Sequence, residues 1–219
     1  TGISATLNPY INGFFWGFTN DQIGLLTLGV YISAILALIL APLAGRVWGK
    51  KKAAIIIGIM AFTLAPAPVF ARQFGLLPPN GTPELFYIIL FVTVLDVALI
   101  IAYQMLAAAM ITDIVEESEL STGRRSEGTF FAGITFVRKL AQGVGVLTAS
   151  LILMVASLRP GITTEEASPE AVTALGWGYA GTLLAVWTLM IISISFYRIS
   201  RADHERNLQA LADRTAANL

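Results

Sequence analysis

Two adjacent cations, Arg138 and Lys139, stand inside one apolar run of the chain, and a lone carboxylate, Asp96, stands inside another. An ionisable side chain in a bilayer costs at least about 2.5–3.5 kcal/mol, so each marks a solute path, an ion path or a charge pair. Arg138 and Lys139 lie 11 and 12 residues past Glu127, which at helical rise places them roughly 17–18 Å along their helix. Asp96 lies 12 residues past Glu84, entering from the opposite face. The arithmetic therefore predicts that Asp96 meets Arg138 or Lys139 as their intramembrane charge partner. One carboxylate cannot neutralise two neighbours that diverge by about 100° around a helix, so one cation is left for another role.

Polar neighbours extend the pattern. Thr135, Arg138 and Gln142 recur at helical spacing, and Lys139 follows Thr135 by four. Tyr103 and Gln104 follow Asp96 by about two turns, adding a phenol and an amide. Lys139, Thr135, Gln104, Tyr103 and Arg138 are the expected substrate-binding set, a lining suited to a hydroxylated or anionic solute. The plainer reading is that these groups satisfy one another between packed helices. Beyond them Asp113, Glu116, Arg124, Arg125 and Glu127 form a mixed-charge segment, read as a cytoplasmic gate whose ion pairs open and close; a solvated loop is the alternative.

The elements that must hold these groups are membrane helices. With 56% hydrophobic and 13% charged residues, the chain has too little polar surface to coat a soluble domain of this length. The fold class is all-α and polytopic, with six transmembrane helices. The first is short and polar, with Thr6, Asn8, Tyr10 and Asn12, and reads as the rear of a truncated span. Thr19, Asn20 and Asp21 signal the next helix start. Spans are expected over about 22–45, 53–71 with a bend at Pro66 and Pro68, 84–115, 128–158 and 172–197, with a polar connection over 116–127. Residues 1–197 form the bundle, and 198–219 an amphipathic tail. Arg46, Lys50, Lys51, Lys52, Arg124, Arg125 and the tail arginines fall on one side, Arg72 and Arg159 on the other. By the positive-inside rule the tail is cytoplasmic.

The zero net charge gives no basic footprint for nucleic acid. With no Cys and one His, no Cys/His metal site, disulfide or thiol nucleophile is available. No acid, base and nucleophile converge, so an enzyme is not expected. A non-transporting scaffold remains as a reading, but it has no use for midplane cations.

From Met110 the stretch MITDIVEESELSTGRRSEGTFFAGITFVRKLAQG resembles the glycoside-pentoside-hexuronide cation symporters, the melibiose-permease-like family of the major facilitator superfamily. The carriers of the likeness are Asp113-Ile114-Val115-Glu116, Thr122 to Gly128, and Phe136-Val137-Arg138-Lys139-Leu140, supported by Gly49-Lys50-Lys51 and the ending at Tyr197-Arg198-Ile199-Ser200-Arg201. The resemblance implies the C-terminal half of a twelve-helix transporter in a bacterial inner membrane, partnered by an N-terminal half and moving a sugar, glycoside, pentoside or hexuronide with Na+ or H+. It implies that Lys139 lies beside the sugar and cation sites and that Thr135 touches the sugar. Gln104 stands where the family has an aromatic stacking residue, which leaves lysolipid or another organic solute as an alternative cargo. The coupling cation is expected mainly in the other half, and no cofactor is expected.

Overall fold

The structure is a computed structural model that describes residues 2–123, 127–159, 162–164 and 166–196. The expected tail and the gate residues Arg124 and Arg125 lie outside the described residues. Helix α1 covers Gly2–Tyr10 and passes into a π-helical turn, Ile11–Phe15. Helices α2 (Asn20–Trp48), α3 (Lys50–Leu64), α4 (Ala67–Gln73), α5 (Pro83–Thr122), α6 (Glu127–Val155) and α7 (Pro169–Ser195) follow. Among the described residues five segments are long and apolar enough to cross a membrane: α2, α3 with α4, α5, α6 and α7. The shorter α1 and its π turn form the sixth element, buried through Leu7, Ile11 and Phe15.

Local chemistry sets the boundaries. Thr19 caps α2 through a reciprocal pair: its hydroxyl accepts from the Gln22 N–H, and its own N–H donates to the Gln22 side chain. Pro66 breaks the third span between α3 and α4, because it has no N–H to continue the ladder. The polar connection expected over 116–127 is instead mostly helix, since α5 runs on to Thr122. Glu, Ser and Thr stop a hydrophobic span but not a helix. Gly123 stops this one, in the left-handed region at φ 69°, its N–H closing on the Glu119 carbonyl.

Two packed cores hold the bundle. One gathers α1, the π turn and α7 around Leu7, Phe15 and Leu175. The other joins α2, α3 and α5 through small residues, including Ala37, Ala41, Ala53, Ala61 and Ala102, which bring helix axes close where no aqueous driving force acts between them. The Ser33 hydroxyl donates to Val94 O at 2.9 Å across the α2–α5 contact. On α6, Gly145 admits the backbone of Gly2 and Ile3, and a Cβ there would lie 2.9 Å from Ile3 N. Gly176 and Gly178 are similarly crowded, by Phe15 and Ile152, whereas Gly143 and Gly181 face open space.

Candidate functional site

The side of α5 that carries Asp96 and Tyr103 fronts two separate hollows. The upper is a cavity of about 250 Å³ among α1, the π turn, α2, the α3–α4 break, α5 and α7, with Asp96 in its wall. The lower is an open cleft of about 850 Å³ bounded by α5, α6 and α7, where Tyr103 and Arg138 meet Phe130, Ile134, Val137 and Met190. Tyr103 is seven residues beyond Asp96, about 10 Å along the same helix.

This arrangement corrects the expected pairing. Asp96 does not meet Arg138 or Lys139, and no ion pair joins them among the described residues. Arg138 shares its level with Tyr103 instead. Counting residues gives a depth but no direction, and α6 packs chiefly on α1 and α7 rather than on α5.

Arg138, Lys139, Thr135 and Gln142 are all exposed, as is most of α6. Gln104 is exposed, while its neighbour Tyr103 turns inward onto Trp187, with ring centroids 6.3 Å apart. The expected solute set is thus split: Tyr103 and Arg138 share the cleft, and Gln104, Thr135 and Lys139 lie on uncovered helix surface.

At the loop side the expected gate finds a different partner. Asp113 is buried, and Lys50 Nζ donates to its Oδ1 at 2.5 Å. The pair ties the start of α3 to α5. Glu116 is half-buried on α5 one turn beyond Asp113, and Glu127 is exposed at the start of α6.

Composition and spacing give Arg72 no role beyond being one of two cations, with Arg159, of the opposite loops. In the structure its guanidinium lies over the rings of Phe15, at 5.0 Å, and Trp16, at 5.6 Å, and donates to the Asn80 side-chain carbonyl. Asn80 in turn donates to the Phe15 carbonyl at 3.2 Å. This clamp holds the π turn against the loop before α5. The signal available in the sequence was the aromatic run Phe14-Phe15-Trp16, a set of π faces for a cation.

Among the described residues no group of three His, Cys, Asp or Glu could hold a metal ion.

Comparison with known proteins agrees with this architecture. The model of the family described as MFS/sugar transport protein matches residues 1–201. An uncharacterized symporter of Synechocystis is 26% identical over 220 residues, covering 99% of this chain and 38% of the relative. Putative 2,3-dihydroxypropane-1-sulfonate exporters of Salmonella typhimurium and Escherichia coli are each 29% identical over 106 residues, covering 48% of this chain and 23% of theirs. The chain spans less than half the length of these relatives. No solved structure matches significantly.

Proposed function

Because the chain belongs to the MFS/sugar transport protein family, whose members are transporters and not enzymes, we propose that it is the C-terminal six-helix part of a cation-coupled solute symporter. It is an integral membrane protein serving a small-molecule solute. In this proposal it belongs to the glycoside-pentoside-hexuronide branch, sits in a bacterial inner membrane with the basic loops and tail in the cytoplasm, and rocks against an N-terminal half to alternate access.

One observation carries the reading. Helix α6 is a membrane-length helix whose exposed surface bears Thr135, Arg138, Lys139 and Gln142. Lipid is a poor neighbour for two cations at that depth, whereas a polar cavity shared with a second half is a good one. In the proposed pathway Lys139 and Thr135 contact the solute, with Gln104 opposite and Tyr103 and Arg138 shaping the cleft. A lysine donates to hydroxyl or anionic oxygens as a compact charge with three donors. The sulfonate in the exporters' names combines hydroxyls with an anion, and such a solute also fits this lining. Asp113 and Lys50, with Glu116, Glu127, Arg124 and Arg125, form the cytoplasmic closure in this proposal.

Uptake by the intact protein in membrane vesicles tests the reading. Glycosides, pentosides, hexuronides, dihydroxypropane sulfonate and lysophospholipid are screened with and without imposed sodium or proton gradients. Gradient-driven accumulation of a sugar-type solute is expected. Movement of lysophospholipid alone would replace the sugar reading, and transport of none of these solutes would remove both.

A further inference from the structure

The upper cavity has a chemistry of its own. Ser4, Asn8 and Asn12 recur every four residues along α1 and its π turn, so they form one polar stripe. That stripe fronts the same cavity as Thr93 and Asp96, three apart on α5 and so on one face. Thr27 of α2 and Tyr179 of α7 complete the polar lining. Tyr179 stands in the wall of the same cavity as Ser4 and Asp96.

Asp96 Oδ1 is buried and has no hydrogen-bond partner. Among the described residues no Lys, Arg or His lines the cavity, and Tyr179 is the one other titratable group facing Asp96 in it. Asp96 as a whole is half-buried, and a carboxylate oxygen withdrawn from water without a partner favours a neutralising charge beside it. Among the described residues no cation lines the cavity to offset this carboxylate, which leaves the place open to a cation from solution.

At about 250 Å³ the cavity is smaller than the roughly 300–1,000 Å³ of pockets that take organic ligands. One carboxylate with neutral oxygens matches a single positive charge; a divalent ion calls for more carboxylates.

We propose that Asp96, with Ser4, Asn12, Thr93 and Tyr179, forms a binding site for one monovalent cation inside this half of the protein. The inference deepens the symport reading, which otherwise leaves the coupling ion to the other half. Sodium and the proton share the chemistry of neutralising Asp96, and the test separates them.

The experiment measures binding on the purified intact protein without any solute, so its outcome does not depend on whether transport is found. Bound 22Na+ is counted at saturation for the wild type and for Asp96→Asn, and protons released between acid and alkaline pH are counted in sodium-free buffer. Loss of one bound Na+ per protein in Asp96→Asn supports a sodium site. An unchanged sodium count with one fewer titrated proton supports the same site carrying H+. Equal counts of both ions overturn the proposal. Thr93→Val and Tyr179→Phe keep the test decisive if Asp96→Asn does not fold. Each is expected to weaken the affinity for the ion about three- to tenfold, as for loss of one oxygen contact, and unchanged affinity in both would also overturn it.

Discussion

Lys50 Nζ and Asp113 Oδ1 stand 2.5 Å apart, the first at the start of α3 and the second 63 residues later on α5. Their burial is unequal, with 35% of the Lys50 side chain exposed against 5% for Asp113. The carboxylate therefore depends on the lysine more than the reverse.

That asymmetry predicts unequal mutants. Lys50→Ala leaves a buried charge and should destabilise by about 1–3 kcal/mol, below the 3–5 kcal/mol of a fully buried broken pair because Lys50 is part-solvated. Asp113→Asn should cost less. Thermal unfolding of the intact protein in detergent checks both, and the exchange Lys50→Asp with Asp113→Lys should recover part of the loss. Equal melting of Lys50→Ala and the wild type would show that the pair contributes nothing.

Close approach of α1 to α6 rests on Gly145. Gly145→Val places carbon against the backbone of Gly2 and Ile3 and should destabilise by about 1–3 kcal/mol, the usual range for overpacking. Gly143→Ala, two residues away and facing open space, should stay within about 0.5 kcal/mol. Matching melting temperatures for the two variants would contradict the packing described.

Arg72 is predicted to fix the π turn. Arg72→Ala removes the cation from Phe15 and Trp16 and the donor from Asn80, with an expected cost of about 1–2 kcal/mol. In Arg72→Lys part of the stability should return, because the ring contact survives while the planar fork is lost. Stability equal to wild type in Arg72→Ala would mean that the clamp holds nothing.

What the sequence made legible follows from local physics. The Thr19 cap, the break at Pro66 and the order of the apolar spans depend on side chains within a few residues of one another, so spacing alone reveals them. Whether Asp96 meets a cation depends on which helix stands beside α5 at that height, and nothing near Asp96 in the chain states it. The same holds for Lys50 meeting Asp113 and for Arg72 over Phe15. The polar run after Val115 differs from the expected connection for another reason: leaving the membrane and leaving the helix are separate events, and Gly123 marks the second.

The central claim is that the cation of Lys139, exposed on α6, faces the solute. Initial uptake rates of the intact protein in proteoliposomes, wild type against Lys139→Ala, test it most directly, using whichever solute the vesicle screen identifies and with protein amount and melting temperature matched. A fall of about 10- to 100-fold is expected, the loss that follows removal of a charge-assisted hydrogen bond worth about 1.5–3 kcal/mol. An unchanged rate would contradict the account.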